Sequence, residues 1–423
     1  MKKLIQIWKI KELRKNILFV FAMLVVFRIA ASIPIAGVNI EALKDYFSGN
    51  QILGLLNIFS GGGMSNFSLV MLGIGPYITA SIIFQLLTMI VPRLEEMNKD
   101  EQGRQKINQY TRISTVPLAA LQGYGMITLF QKTAKIPIFT DLNVWKYFTM
   151  ITIITAGTMF LVWLGELISE RKIGNGISIL IFAGIVSGIP TAVSQTIFTF
   201  NPAQITSLIT FAVIALITTF AIVFITEGQR NIPISYAKQV RGMKMYGGMN
   251  TYLPLKVNQA GMIPIIFAIA IITFPPIVAQ FFLRFQSGFI SGVAQFVIDA
   301  FNSQIFYGVI YFVLVVAFTY FYTSIIFHPQ QIADNLKKQG AFIPGIRPGQ
   351  MTEAYLAKTV SRIVFTGAMF LGIVAILPLI LQAATGTRTL AISGASLLIV
   401  VGVVIESIKQ IESQMTMRDY EGF

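Results

Sequence analysis

Ten stretches of this chain run for about the thickness of a bilayer with almost no charge: 17–36, 72–91, 113–131, 147–168, 177–197, 205–226, 260–282, 305–327, 363–383 and 390–408. An apolar run of about 20 residues is stable as a helix across a bilayer, because a helix satisfies its own backbone where no water is present. The rest of the chain offers no competing core. Charged residues make up 12% of the sequence, hydrophobic residues 55%, and the mean hydropathy is +0.71. A soluble domain carries about 25% charged residues, so this chain could not cover a water-facing exterior. The reading is an all-α polytopic membrane protein.

Several chemistries are excluded by absence from the sequence. There is no Cys, so no disulfide, thiolate nucleophile or Cys-ligated metal, and the single His is His328. Walker A, HExxH and GxSxG patterns are missing, and with them the phosphate cradle, zinc site and nucleophile elbow that they encode. Neither an enzymatic centre nor a cofactor is expected. Proton pumps and ion-coupled transporters keep ionisable groups at membrane depth. Here Glu166, Glu227 and Glu406 sit at span ends, and only Arg28 lies well inside a span. Arg28 reads as a snorkelling or helix-packing residue.

Ten spans put both termini on one side, and basic residues concentrate on the cytoplasmic side of membrane proteins. The N-terminal segment, the even-numbered connections and the tail hold 25 Lys and Arg residues against six (Lys44, Lys132, Lys135, Lys146, Arg284 and Arg388) on the other side. Both ends are therefore expected in the cytoplasm. Residues 1–16 form a cytoplasmic N-terminal segment, 17–200 a first five-helix half, 201–408 a second, and 409–423 a cytoplasmic tail. The connection FTFNPAQ at 198–204 divides the halves. An odd number of spans per half forces the second to insert inverted, an arrangement that puts working sites where the repeats meet. Two cytoplasmic loops are long, at 227–257 and 328–361. The external segment 37–71 contains SGGGMSNFS, whose small residues and apolar continuation suit a short helix folded back into the protein.

Uncharged polarity is present near the spans at Gln85, Gln122, Asn258 and Gln259. Two readings stand: interhelical hydrogen bonds, each worth under about 2 kcal/mol, or a polar seam along which helices part.

Long motifs resemble the SecY family, the central subunit of the protein-conducting channel. They include FRIAASIPIAGVNI (27–40), NIFSGGGMSNFSLVMLGIGPYITASIIFQLLT (57–88), GELISERKIGNGISILIFAGIVSGIP (165–190), EGQRNIPISYAKQ (227–239), KMYGGMNTYLPLKVNQAGMIPIIFA (244–268), ADNLKKQGAFIPGIRPG (333–349) and MRDYEGF (417–423). The resemblance implies two inverted five-helix halves in a clam-shell around an hourglass pore, with a plug. The plug corresponds to Ser60, Gly61, Gly62, Gly63, Met64, Ser65, Asn66, Phe67, Ser68, Leu69 and Val70; without the resemblance, the same patch reads as a flexible loop. A constricting ring corresponds to Ile78, Ile82, Ile177, Ile181, Ile266 and Ile399. Such a gasket suits a substrate of no fixed sequence, because it is apolar, deformable and poorly wetted. Gln85, Gln122 and Asn258 fall on the spans that form the family's lateral gate.

The resemblance further implies docking of the ribosome and of the SecA motor ATPase on the cytoplasmic loops, through Arg230, Lys238, Arg241, Lys244 and Arg347. Ordinary inward positive charge explains most of these equally well. Arg347 stands apart, since PGIRPG presents one guanidinium on a stiff turn suited to phosphate or carboxylate. Met243–Lys244 and Asn231 depart from the paired basic residues common in the family. SecE-like and SecG-like small membrane subunits complete the implied assembly in the bacterial plasma membrane. Signal peptides and nascent polypeptides are the substrates, and apolar segments are released into the lipid bilayer. The competing reading is an inverted-repeat secondary transporter or lipid flippase, which would need a polar site for a solute at the midplane.

Overall fold

The computed structural model describes residues 8, 10–43, 57, 60–133, 138–139, 143–198, 205–236, 239–241, 244–246, 250–282, 288–385 and 394–421. All ten apolar stretches lie on helices. In chain order these are α1 (Lys11–Ser32), α2 (Gly75–Ile90) with its continuation α3 (Pro92–Lys99), α4 (Glu101–Thr133), α5 (Val144–Glu170), α6 (Gly176–Phe198) and α7 (Ile205–Glu227). After a stranded region come α8 (Ile263–Phe282), α9 (Gly288–Asn302), α10 (Gln304–Ile326), α11 (Pro329–Lys338), α12 (Gln350–Thr385) and α13 (Gly394–Glu421). Among the described residues, six helices are long and apolar enough to cross a membrane, and α2 with α3 makes a seventh if the pair is one span. That pair bends by 104° at Val91–Pro92, where the proline cannot continue the preceding hydrogen-bond ladder. Shorter apolar runs occur in α6, α8 and α9.

The chain forms two compact units. The first comprises Met1–Ile205, Ala270–Ser303 and Ile399–Phe423, and the second Thr206–Ile269 and Gln304–Leu398. In the first, α4 packs against α2 and α5, and α5 against α6. Arg112 of α4 and Glu166 of α5 form an ion pair at 2.9 Å. In the second, α10 and α12 make the most extensive helix pair, and α11 packs on α12. The connection at 199–204 lies outside the described residues.

Two features lie outside the ten expected spans. The 227–257 segment holds four strands: β1 (Gln229–Tyr236), β2 (Gln239–Arg241), β3 (Lys244–Tyr246) and β4 (Asn250–Lys256). A fifth, β5 (Ala341–Phe342), comes from the 328–361 segment, giving a sheet of order β4-β1-β5 and a separate β2-β3 pair. The long loops are therefore joined to each other. The register runs antiparallel from Gln229 opposite Lys256 to Ser235 opposite Asn250, and Ser235 and Tyr236 pair with Phe342 and Ala341. Pro233 is tolerated because β5 pairs only beyond it. Alternation along NIPISY turns Ile232 and Ile234 inward. Ile232 packs with Leu255, Ile343, Leu356 and Val360, and Ile234 with Leu336 and Ala341.

The second is α9. Its residues Phe289, Val293 and Phe296 are exposed at helical spacing, opposite Ser291, Gln295 and Asp299. α9 faces the end of α8 across a cavity of about 540 Å³ lined by Pro275, Val278, Ala279, Phe282, Ile290 and Val293 among others, all apolar.

Candidate pore seal, gate and docking surfaces

The segment Ser60–Val70 is turned backbone rather than regular helix. Its glycines explain this. Gly61 and Gly62 take positive φ values of 67° and 80°, open to glycine at little steric cost and costly for other residues. The segment is nevertheless fixed in place. The Ile35 N–H donates to the Phe67 carbonyl at 2.9 Å, the Leu69 N–H donates to the Ile33 carbonyl at 3.1 Å, and Pro34 bridges Ser68. Within the segment, the Met64 N–H donates to Ser60 Oγ and the Ser65 N–H to Asn57 Oδ1.

Apolar packing completes the seat. Phe67 is fully buried, with its ring edge-on to Phe139 at 5.3 Å and to Phe130 of α4 at 6.2 Å between centroids. Met64, Met71, Leu72, Met126, Ile127, Ile138 and Ile154 surround it. On α5, Gly157 lets the Leu69 carbonyl come so close that a β-carbon there would overlap it. Neither Gly157 nor the strand-like edge at Ile33–Ile35 was among the sequence-predicted site residues. A lone glycine in the apolar run IITAGTMF was the available signal, since small residues in membrane helices mark close backbone approach.

The six ring isoleucines all lie on helices. Ile82, Ile181 and Ile399 are buried, and Ile78, Ile177 and Ile266 are half-buried. The pairs on α2 and α6 keep their i, i+4 spacing and so each shares a helix face. Ile177 also lies against Gly165 of α5, a contact outside the expected ring. Ile266 belongs to the second compact unit and the other five to the first.

The amides are incompletely satisfied. Gln85 donates from Nε2 to Ser81 Oγ at 3.3 Å, while its buried Oε1 has no partner among the described residues. Asn258 is buried in the turn before α8 and donates from Nδ2 to the Gly261 carbonyl at 3.1 Å, and its Oδ1 is also unpartnered. Gln122 is half-buried on α4. A buried acceptor left without a donor costs about 1–3 kcal/mol, so Gln85 and Asn258 hold hydrogen-bonding capacity in reserve.

Of the basic residues on the long segments, Arg230 lies on β1 opposite Leu255 and is exposed. Arg241 and Lys244 face each other in register across the β2-β3 pair. Lys238 lies outside the described residues. Arg347 is exposed between Gly345 and Gly349, both at positive φ. Its carbonyl accepts from Thr352 Oγ at 3.0 Å, which ties the turn to the start of α12.

Comparison with known proteins covers nearly the whole chain. A family model described as SecY matches residues 68–408. The protein translocase subunit SecY of Streptomyces galbus is 43% identical, over 97% of each chain. That of Bacillus licheniformis is 44% identical, covering 98% of this chain and 97% of its own. Among solved structures, one described as a protein-conducting channel shares the fold with a TM-score of 0.63 at 20% identity, over 94% of this chain and 91% of the other. Sec61 in a canine ribosome-channel complex from the endoplasmic reticulum gives 0.61 at 19% identity, over the same shares.

Proposed function

This chain belongs to the SecY family and is a membrane-embedded protein-conducting channel subunit; we propose that it works in the bacterial plasma membrane with both termini in the cytoplasm. Unfolded polypeptides pass through it, and apolar signal or transmembrane helices leave it sideways into lipid. It carries no catalytic centre, so the driving energy comes from a partner. SecE-like and SecG-like subunits stabilise it, and SecA or the ribosome delivers substrates.

The observation that carries this reading is the seated segment Ser60–Val70. A turned, glycine-bearing stretch held by a few backbone hydrogen bonds and one buried phenylalanine has the properties of a displaceable plug. The isoleucines of the ring supply an apolar gasket. Gln85, Gln122 and Asn258 line the lateral gate, where spare acceptors soften the closed contact. An entering helix gains about 0.3–0.6 kcal/mol for each Leu, Ile, Phe or Val that reaches lipid.

The sheet-braced segments 227–257 and 328–361 are the docking arms. Their small apolar cores hold Arg230 and Arg347 on fixed backbone, which favours a charge-directed partner. Relatives of this fold have been seen bound to ribosomes, Sec61 in the canine complex among them. The five-plus-five division and the domain limits at 16, 200 and 408 belong to the same proposal.

The test is reconstitution. The chain should co-purify with a SecE-like subunit in mild detergent, and the complex in proteoliposomes should import an unfolded secretory precursor when SecA and ATP are supplied. Failure of the intact complex to protect any precursor from added protease would refute the assignment.

A further inference from the structure

Arg28 is the charge that the sequence places deep in a span, and its contacts are specific. Nη1 donates to the Gly61 carbonyl of the segment Ser60–Val70 and to Ser187 Oγ of α6 at 3.1 Å. Ser187 in turn donates to the Gly184 carbonyl at 2.7 Å. Arg28 has no ion pair among the described residues. At Gly61 an added β-carbon would sit 3.1 Å from Gly184 Cα and 3.1 Å from Phe27 Cζ. The guanidinium therefore closes a corner where the segment meets α6 backbone to backbone beside the Phe27 ring of α1.

We propose that Arg28 is a latch that holds the plug closed by joining the Gly61 carbonyl to Ser187 of α6. The proposal rests on the reading of Ser60–Val70 as the plug. A snorkelling arginine would turn its head towards the membrane surface. This one, though exposed, turns its Nη1 to the protein and donates to groups that belong to different elements. A charged donor to a carbonyl is stronger than a neutral one. Arg28 therefore makes release of the segment a coupled event. Any movement that parts α1 from α6 removes one of the guanidinium's two partners and loosens the other, which leaves the segment to its contacts with Ile33 and Ile35 and its apolar packing.

The latch has a direct electrical readout. Resting ion conductance of the purified complex is measured in planar bilayers without substrate for five forms: wild type, Arg28→Gln, Arg28→Lys, a deletion of residues 61–66, and the deletion combined with Arg28→Gln. Arg28→Gln should raise the time spent open about tenfold. Arg28→Lys, which keeps the charge and three donors on a differently shaped head group, should restore part of the closure. The deletion should raise conductance by itself, and adding Arg28→Gln to it should change nothing more. An unchanged conductance on deletion would reject the plug reading. A leaky deletion with a tight Arg28→Gln would leave the plug intact and reject the latch. Additive leaks would place Arg28's effect elsewhere and also reject it. Should Arg28→Gln fail to assemble, Ser187→Ala decides, since it removes one anchor and little volume; it should raise open time several-fold, and no change would overturn the proposal.

Discussion

Truncating Phe67 to Ala tests whether the segment Ser60–Val70 leaves its seat as a unit. Phe67 is 0% exposed and edge-packed on two aromatic rings. Burying a side chain so completely is what allows its backbone to stay at φ 45°, a left-handed conformation that costs a non-glycine residue about 1–2 kcal/mol. Phe67→Ala keeps that strain and removes the burial that offsets it. Phenylalanine-to-alanine changes in packed cores cost about 3–5 kcal/mol. The cost falls on the seated state alone, because a displaced segment exposes residue 67 in either form. The equilibrium should then move towards the displaced state by about two to three and a half powers of ten, at 1.4 kcal/mol for each tenfold. Phe67→Leu, which keeps most of the apolar volume, should move it much less. The assay is resting conductance of the purified complex, paired with its thermal midpoint. A lower midpoint with unchanged conductance would show that Phe67 stabilises only the fold, and the displaceable-plug argument would fail.

Four further outcomes are expected. Ser68 Oγ is buried with no partner among the described residues, so Ser68→Ala should relieve the seated state and reduce resting conductance; a leakier channel would contradict this. Ile399→Asn puts an amide at a fully buried position, costing about 1–3 kcal/mol when closed, and should raise resting conductance and admit substrates with defective signal sequences; neither change is expected if Ile399 faces lipid. Arg347→Glu should impair SecA- or ribosome-dependent translocation while the amount of channel stays normal, since an exposed substitution shifts stability by about 0.5 kcal/mol or less; normal secretion under limiting translocation would return Arg347 to ordinary inward charge. A Cys at Lys244, with no native thiol as background, should resist impermeant reagents in intact cells, and external labelling would invert the topology.

The helices were legible because one physical rule dominates a bilayer interior: the backbone must satisfy itself, so every long apolar run becomes helix. That rule says nothing about segments outside the spans. In the 227–257 segment, the alternation of Ile232 and Ile234 covers only four residues and is interrupted by Pro233. The sheet is completed by Phe342 and Ala341 from more than 100 positions away, and no local pattern announces that pairing. The helix α9 was missed for a related reason. Its charge-free run ends at Arg284 and Asp299, well short of the roughly 20 residues a span needs, so a search for spans passes over it. Spacing was legible where one helix carries it, as with the isoleucines at 78 and 82 and at 177 and 181, each pair on one helix face. Close backbone approach was not legible, as at Gly157, whose neighbour Leu69 is distant in sequence.

The seat of Ser60–Val70 combines terms of opposite sign, and the proposed displaceable plug requires both. The burial of Phe67, Met64 and Val70 favours closure, as does the Arg28 contact to Gly61. The left-handed backbone at Phe67 and the unpartnered hydroxyl of Ser68 oppose it. A segment with only the favourable terms would behave like ordinary core, with barriers set by unfolding of the first unit. A segment with only the unfavourable ones would leave the pore to its isoleucines. Because the opposing terms are each worth about 1–3 kcal/mol, they bring the seated state within reach of what an entering apolar helix provides. At about 0.3–0.6 kcal/mol per large apolar residue transferred to lipid, a helix with ten such residues gains about 3–6 kcal/mol. That range overlaps the contribution of the Phe67 anchor alone, so substrate entry and plug release sit on the same energy scale. Weakening the signal helix and weakening the seat should therefore compensate each other.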